Sequence, residues 1–370
     1  MTVLMTADTV GGVWSHALEL AAALHRQGVD VVLAALGPPP TDAQVRQARG
    51  VPGLELRPAP FRLPWMVDPW SEVARAGEHL LSLAAATGAE LVHLSEPVFA
   101  SLPWDVPVVA VGHSCVLSWY AAVRREHAPA EWDRYRHAMR SGLAAADAVV
   151  APSRAMLSAL QRHYGIMGGF VVSNGREPTR FAAASKAPIV LTAGRLWDPA
   201  KNVGALAAVS SELRWPVHAA GETRAPDGET TPVLGSMHLL GALDPDAMAT
   251  AFAHAAIYAL PARYEPFGQS VLEAGLSGCA LVLGDIPSLR ELWGGAARFV
   301  APDDRSELRA VLSELIDDPD LRRSLAFEAR RRALSYTPDR MARGYLDVYA
   351  HARRQARAST TARERIACAS

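Results

Sequence analysis

The sequence predicts an α/β protein with two parallel β-sheets, each covered by helices on both faces. Short, near-continuous apolar segments alternate with segments whose apolar residues recur at helical spacing. This alternation is typical of buried parallel strands joined by crossover helices. It begins a second time after a polar, turn-rich segment at residues 174–188. The length of 370 residues also favours two domains.

The first half opens with an apolar strand at residues 3–7 and a helix at residues 13–26, which Gly28 ends. The later apolar runs predict strands and the amphipathic runs predict helices. The strands are at residues 29–36, 91–94, 106–111 and 148–151, and the helices are at residues 70–86 and 131–145.

The second half repeats the pattern from residue 188 onward. Its predicted strands are at residues 188–193, 217–220, 237–240, 256–260 and 280–284, and its helices are at residues 202–212, 270–277, 305–315 and 319–333. A last helix is predicted within residues 336–355, because Thr337 can cap it and Pro338 suits its first turn. Met341, Tyr345 and Val348 share one face of it. We therefore predict domains at residues 1–172 and 173–335, then this helix, then a disordered tail at residues 356–370.

Composition excludes several classes of protein. The chain has 37 basic and 38 acidic residues, so its net charge of −1 gives no global attraction to nucleic acid or to anionic membranes. No apolar run is long enough to span a bilayer, and the N-terminus does not read as a signal peptide. Cys115, Cys279 and Cys368 form no Cys-x-x-Cys pair, which argues against a disulfide scaffold or a cysteine zinc site. We expect a cytoplasmic protein.

Gly11 and Gly12 lie between the first strand and the first helix. Adjacent glycines let the backbone approach a ligand closely, and amides at a helix start attract phosphate. The segment matches neither the Gly-x-Gly-x-x-Gly fingerprint nor a Walker A loop. A phosphate contact and a plain tight turn are both compatible with it.

Two cations follow the first strand of the second half. Arg195 and Lys201 lie where α/β folds place ligands, and Lys201 is one of only two lysines in the chain, with Lys186. Arginine as a bidentate fork and lysine as a point charge suit one diphosphate. An ordinary surface loop is the alternative interpretation.

The segment from Glu265 to Glu273 carries the strongest signal. It follows an apolar strand and opens a helix, so Gly268, Gln269 and Ser270 are expected to present backbone amides to an anion. Carboxylates beside a phosphate site are suited to sugar hydroxyls, whose hydrogen bonds they accept. The alternative is an acidic loop followed by a solvated helix residue.

His113 comes just after the strand at residues 106–111, where a histidine can transfer a proton or stabilise developing charge. A structural histidine is the alternative interpretation. Asp244-Pro245-Asp246 resembles a metal-binding Asp-x-Asp, but capping of the following helix by Asp244 explains it without metal. Asp303-Asp304 is interpreted in the same way.

Taken in order, these motifs resemble those of the family 4 retaining glycosyltransferases. The resemblance covers residues 1–355 and is most specific at Glu265-x7-Glu273 and at Ser-Leu-Arg-Glu-Leu, residues 288–292. It implies the GT-B fold, with two facing Rossmann-like domains, a cleft between them, and a last helix that returns to the first domain. The first domain would bind the acceptor and the second the nucleotide-sugar donor.

The resemblance also implies roles for residues. Glu265 would hold hydroxyls of the donor sugar, Glu273 the ribose hydroxyls, and loop 239–243 the base. Arg195 and Lys201 would neutralise the diphosphate, and His113 would lie beside the sugar. The residues assigned to donor binding are Gly11, Gly12, Asn174, Leu240, Leu243, Phe267, Gly268, Gln269, Ser270 and Glu273.

The implied reaction moves a hexose from a nucleotide-diphosphate sugar to a hydroxyl acceptor, with retention, same-face attack and no metal or other cofactor. UDP-glucose is the first expected donor and GDP-mannose the second; the sequence leaves the acceptor and the oligomeric state open. The alternatives are another GT-B enzyme, such as a nucleotide-sugar epimerase or a phosphorylase, and a non-catalytic nucleotide-sugar-binding protein.

The chain departs from the family at three places. Thr9-Val10 precedes Gly11 where glycogen and starch synthases carry lysine, and residues 221–224 replace the usual glycine-rich turn. Arg176 and Glu177 follow Asn174-Gly175 where the family often has a hydrophobic residue and aspartate.

Overall fold

The computed structural model describes residues 1–225 and 234–367, with side chains described as far as residue 358. The chain divides into two compact units. The first unit contains Met1–Ser118, His127–Gly175 and the C-terminal segment from Pro338, and the second contains Trp119–Glu126 and Arg176–Thr337. The predicted domain boundary lies after residue 172, and the structural division falls between Gly175 and Arg176.

The first unit is built on a parallel sheet of seven strands in the order β3-β2-β1-β4-β5-β6-β7. These strands are β1 Thr2–Asp8, β2 Asp30–Leu36, β3 Leu54–Ala59, β4 Leu91–Leu94, β5 Val108–Val111, β6 Ala148–Ala151 and β7 Phe170–Val171. Its helices are α1 Gly12–His25, α2 Asp42–Arg49, α3 Trp70–Thr87, α4 Val116–Trp119, whose last residue belongs to the second unit, α5 Asp133–Ala145, α6 Arg154–Tyr164 and α13 Pro338–Ala367.

The second unit repeats the plan with six parallel strands in the order β10-β9-β8-β11-β12-β13. These strands are β8 Ala187–Ala193, β9 Val217–Ala220, β10 His238–Gly241, β11 Ala255–Leu260, β12 Ala280–Gly284 and β13 Arg298–Val300. Its helices are α7 Val203–Val209, α8 Pro245–His254, α9 Gln269–Leu276, α10 Pro287–Trp293, α11 Arg305–Asp317 and α12 Pro319–Ala333.

Both sheets have the strand order of a Rossmann fold, which confirms the predicted α/β class with two parallel sheets. The order reverses between β1 and β4 in the first unit and between β8 and β11 in the second. In open parallel sheets, ligands bind at the carboxyl ends of the strands beside such a reversal. The loops that leave β1, β4, β8 and β11 are therefore the places where a site is expected.

Elements that the sequence did not indicate lie mainly at sheet edges or on the surface. β3 and β13 are edge strands, and β3 alternates exposed with partly buried residues instead of forming an apolar run. α2 is polar over nearly its whole length and buries only Ala48. α6 was also missed, although Ser153 caps it and Met156, Leu160 and Tyr164 give it a buried face.

The last helix packs on the first unit. Met341, Tyr345, Val348 and Tyr349 are all buried, and they join the same core as Trp14 of α1. Burial of a large apolar side chain contributes roughly 1.5–3 kcal/mol, so this stripe holds α13 firmly. α13 extends to Ala367, into the segment from residue 356 that was predicted to be a disordered tail. The alanine and arginine residues after residue 352 favour helix.

Two acidic pairs at helix starts were predicted to be caps. The Asp244 carboxylate accepts hydrogen bonds from the amides of Asp246 and Ala247 at 3.1 and 2.8 Å, which confirms the cap of α8. Asp304 caps α11 in the same way, at 2.8 Å from the Glu307 amide. Asp303 instead forms an ion pair with Arg263 at 2.9 Å.

Two further predictions concern cysteines and membranes. Cys115 and Cys279 are buried thiols that are not joined in a disulfide, and Cys368 lies outside the described residues. Over residues 1–225 and 234–367, no helix combines the length with the apolar composition that crossing a membrane requires.

Candidate active site

The loop after β8 carries both predicted cations of the second unit. Gly194 opens it in a backbone conformation with φ of 143°. Arg195 donates to the Asp198 carboxylate at 2.9 Å and stacks on the Trp197 ring at 5.4 Å, yet 40% of its side chain stays exposed. Arg195 is thus held in place while one side of its guanidinium remains accessible to an anion.

Lys201 ends the same loop and pairs with Glu265. Its Nζ lies 2.5 Å from Glu265 Oε2, and the two side chains are only 15% and 11% exposed. Glu265 follows β11, which neighbours β8 in the sheet, so the fold brings two residues 64 positions apart into direct contact. Because both side chains are largely buried, each needs the opposite charge of the other, and a ligand at this point would meet both groups together.

Two further hydrogen bonds hold Glu265 in place. Its Oε1 accepts a hydrogen bond from the Gly268 amide at 2.9 Å, and the Ser288 hydroxyl donates to its carbonyl at 2.5 Å. Gly268 adopts φ of 89° as the N-cap of α9, and a Cβ there would lie 2.9 Å from Val271 Cγ2. Glycine is therefore required at this position for the loop to close.

The predicted anion site at the start of α9 is changed in one respect. The Gly268 amide is not free, because Glu265 occupies it. Gln269 and Ser270 are the first two residues of α9, so their amides have no partner within the helix. The Ser270 hydroxyl is bonded to the Tyr258 hydroxyl at 2.7 Å, and both polar atoms of the Gln269 side chain are buried without a partner among the described residues. The Phe267 side chain packs in the core, so only its backbone is available to a ligand.

Glu273 is the second carboxylate of this segment, and the fold pairs it with Arg176. Arg176 Nη2 lies 2.8 Å from Glu273 Oε1, and the side chains are 7% and 13% exposed. The Arg176 guanidinium also lies over the Phe181 ring at 5.3 Å. The residue that departs from the family pattern is thus the ion-pair partner of a predicted donor-binding residue.

The turn after β9 contacts the turn after β8 through two glycines. A Cβ on Gly221 would lie only 1.8 Å from the carbonyl oxygen of Gly194, and Gly221 has φ of 139°. The glycine retained in residues 221–224 is therefore needed for close approach of two backbones. Leu240 and Leu243, predicted beside the base, lie on and after the edge strand β10 and pack partly against the core.

In the first unit, Gly11 and Gly12 form the start of α1. Gly11 is its N-cap, and Gly12 is its first residue and is exposed. The Asp8 carboxylate accepts a hydrogen bond from the Val10 amide at 2.9 Å, which shapes the turn between β1 and the helix. Asn174, near the end of this unit, is buried, and its side-chain oxygen has no partner among the described residues.

His113 lies at the end of β5 within a group of three histidines. Its ring is 4.7 Å from that of His16, and its Nε2 is 3.4 Å from the Ser95 hydroxyl. Burial lowers the pKa of His113 to about 4, so the imidazole is neutral near pH 7. Burial, together with the nearby His113, lowers the pKa of His93 to about 3.

Glu96 follows β4, the strand next to β1, and is another buried titratable group. Burial and then the nearby Asp8 carboxylate raise the pKa of Glu96 well above its ordinary value. The carboxyl edge of this sheet therefore combines two neighbouring acidic side chains, Asp8 and Glu96, with the neutral imidazole of His113.

Several of these residues were not predicted as functional. Arg176, Glu96 and His16 each interact with a residue from another part of the chain, so neighbouring residues gave little signal. Asp198 is the exception, because its spacing of three residues from Arg195 suits an ion pair.

Comparisons with known proteins match most of the chain. The family model "Glycosyltransferase Family 4" matches residues 10–180, and "Glycosyl transferases group 1" matches residues 187–318. A glycogen synthase of Mycobacterium tuberculosis is 26% identical, with 88% of this chain and 87% of that protein covered.

Solved structures share the fold at low sequence identity. Sucrose-phosphate synthase from Thermosynechococcus elongatus superposes with a TM-score of 0.77 at 17% identity, over 94% of this chain and 98% of that one. Alr3699/HepE from Anabaena, solved with UDP-glucose, has a TM-score of 0.72 at 15% identity, over 95% and 99%.

Two Rossmann-like units with these structural relatives define the GT-B fold. The chain belongs to glycosyltransferase family 4, and it is a transferase of carbohydrate biosynthesis.

Proposed function

We propose that this glycosyltransferase is a retaining hexosyltransferase that takes its sugar from a nucleotide diphosphate and needs no metal. UDP-glucose is the first donor we propose, because a structural relative was solved with that molecule, and GDP-mannose is the second. The acceptor is a hydroxyl group of a molecule that we do not assign. Cytoplasmic localisation remains part of the same proposal.

The contact between Lys201 and Glu265 is the observation that carries the proposal. It joins a cation and a carboxylate at the carboxyl ends of β8 and β11, beside the first turn of α9. A bound diphosphate would offer phosphate oxygens to Lys201 and to the exposed side of Arg195. Glu265 would then accept hydrogen bonds from the sugar hydroxyls, still held by the Gly268 amide.

The chemistry follows from where charge develops. As the glycosidic bond breaks, negative charge grows on the diphosphate oxygen, and preorganised cations and helix amides stabilise that charge. Two cations and the amides of Gln269 and Ser270 supply this stabilisation without a metal ion. The acceptor attacks from the face that the diphosphate leaves, and a phosphate oxygen takes its proton, so no side-chain nucleophile is needed.

His113 and Glu273 complete the proposed assignment. Neutral His113 is suited to donate a hydrogen bond to the sugar, because burial keeps its imidazole uncharged near pH 7. Glu273, held by Arg176, is suited to accept hydrogen bonds from the ribose. Thr9 occupies the place where glucan synthases carry lysine, and its hydroxyl donates to the Pro38 carbonyl at 2.8 Å, so we expect no elongation of glycogen.

Thermal stabilisation by UDP, GDP, ADP and their sugars, measured in EDTA, tests the donor site. A ligand at a hundred times its dissociation constant adds about 2.7 kcal/mol to the free energy of unfolding. We expect one nucleotide to stabilise the wild type and Arg195→Ala to lose that shift. Arg214→Ala, which removes another exposed arginine paired with an aspartate, is the matched control and should keep it.

Absence of stabilisation by every nucleotide, or stabilisation that requires added metal, would refute the donor site or its independence from metal. Retention is tested separately. The anomeric configuration of the product, read by NMR after reaction of the preferred α-linked donor with an active acceptor, should be α; a β product would refute it.

A further inference from the structure

We infer that Trp119 is a positioning residue for Arg195 and acts on it through Asp198. This inference rests on the proposed role of Arg195 in binding the diphosphate. Trp119 lies 76 positions before Arg195 in the numbering, and no motif in the sequence connects them. The connection is made by three side chains in direct contact.

Trp119 belongs to a short segment that is part of the second unit. Residues Trp119–Glu126 contact the second unit, although the residues on either side of the segment belong to the first. Arg125 at the end of the segment pairs with Asp303, and Arg124 lies 5.8 Å above the Trp119 ring. The indole is thus held from above by Arg124 while its N–H points to Asp198.

Asp198 is a buried carboxylate whose oxygens are both in use. Its side chain is 5% exposed, and Oδ1 accepts from Trp119 Nε1 at 3.1 Å and from the Ala200 amide at 2.9 Å. Its Oδ2 accepts from Arg195 at 2.9 Å. Rotation about the last bond of an aspartate is soft, so the donors on Oδ1 determine where Oδ2 points. The indole N–H therefore helps to set the direction of the Arg195 guanidinium.

A buried carboxylate needs hydrogen-bond donors, and the loss of one makes the remaining pair less well defined. Trp119→Phe removes the N–H together with one ring of the indole, and it keeps an aromatic ring beside Tyr120 and under Arg124. We expect Arg195 in this variant to remain present and charged but less well oriented. The loss of affinity should therefore appear for a nucleoside diphosphate and not for a monophosphate, because the monophosphate lacks the phosphate that Arg195 is proposed to contact.

The experiment compares the affinity for a nucleoside diphosphate with that for its monophosphate by calorimetry. The probes are UDP with UMP and GDP with GMP, and the readout is the ratio of the two dissociation constants. We expect Arg195→Ala to reduce the diphosphate preference by about tenfold to a hundredfold, as for one hydrogen bond to a charged group. Trp119→Phe should reduce it by about threefold to tenfold.

The double variant separates positioning from a merely structural role. If Trp119 acts through Arg195, then Trp119→Phe in the Arg195→Ala background should change the preference by less than about twofold. Trp104→Phe is the matched control, since it removes an indole hydrogen bond of 2.9 Å to the Phe99 carbonyl in the first unit. Asp198→Asn is a second variant, which should reproduce the loss of preference if Trp119→Phe folds poorly.

Each outcome decides a different point. An unchanged preference in either Trp119→Phe or Asp198→Asn, with Arg195→Ala impaired, overturns the inference and leaves the proposed function intact. An equal effect of Trp119→Phe with and without Arg195 overturns it as well. A wild type that prefers neither UDP over UMP nor GDP over GMP, or an Arg195→Ala variant with unchanged preference, refutes the proposed function and the inference with it.

Discussion

Replacing His16 with methionine should change how the stability of the protein depends on pH. His16 lies on α1 and is buried, and neither ring nitrogen has a hydrogen-bond partner among the described residues. Burial, followed by the nearby His113 and His93, lowers the pKa of His16 well below its ordinary value. The folded protein therefore keeps this imidazole neutral under conditions in which an unfolded chain would protonate it.

The sign and size of the effect follow from proton linkage. The unfolded state takes up a proton on His16 as the pH falls through about 6.5, whereas the folded state does not. The unfolded state is thus favoured increasingly below that pH. For one such histidine, the free energy of unfolding falls by about 1.4 kcal/mol per pH unit between pH 6 and pH 5.

Other groups contribute to the same pH range, so a comparison of variants is needed. His93 and His113 act in the same direction as His16, because burial lowers their pKa to about 3 and about 4. Glu96 acts in the opposite direction, since its pKa is raised and its folded form binds a proton at higher pH than the unfolded form. These contributions cancel when the free energy of unfolding of the wild type is subtracted from that of His16→Met.

Urea unfolding followed by tryptophan fluorescence, at several pH values from 7.5 to 5, measures the difference. We expect His16→Met to gain about 1.4 kcal/mol relative to the wild type for each pH unit below 6. His137→Gln, which replaces an exposed histidine of the same unit, is the control and should stay parallel to the wild type. Parallel curves for His16→Met would refute the reasoning, because they would mean that His16 binds its proton equally in both states.

Three further predictions concern a buried ion pair, a close backbone approach and a helix cap. Arg176→Met removes the arginine partner of the buried Glu273 carboxylate and should lower the free energy of unfolding by about 3–5 kcal/mol. Adding Glu273→Gln to the same chain should restore most of this free energy, and no recovery in urea unfolding would contradict the prediction. Gly221→Ala places a Cβ 1.8 Å from the Gly194 carbonyl oxygen and should cost at least about 2 kcal/mol, so an unchanged melting temperature would be the contrary result. Asp244→Ala should lower stability by about 1 kcal/mol through loss of its cap, and the same loss in EDTA and in Mn²⁺ would distinguish a cap from a metal ligand.

Local patterns carried much of the information about this fold. β1, β2, β8 and β11 are buried strands whose apolar runs are legible in the chain, and the order of strands and helices indicated parallel sheets. Edge strands such as β3 were not predicted, because only one side of such a strand is covered and its sequence therefore contains no apolar run. The caps of α8 and α11 were predictable because a cap depends on residues within one turn of the helix start.

The site was predictable only where its geometry is local. The Glu265 carboxylate bonds the Gly268 amide three residues later, so spacing and residue type together indicated a built loop. No local pattern indicated that Lys201 would contact Glu265, or that Arg176 would hold Glu273. Such contacts join loops from different strands, and they exist only once the sheet has brought the strand ends together.

By itself, then, the sequence determined the class of fold, the family and the segments that carry the chemistry, because hydrophobic periodicity, caps and motifs act over a few residues. The tertiary structure decided which charges are paired and which imidazoles are neutral. Desolvation depends on every element that covers a group, as the shared surroundings of His16, His93 and His113 show. A partner such as Trp119 for Asp198 depends on where a distant segment of the chain returns.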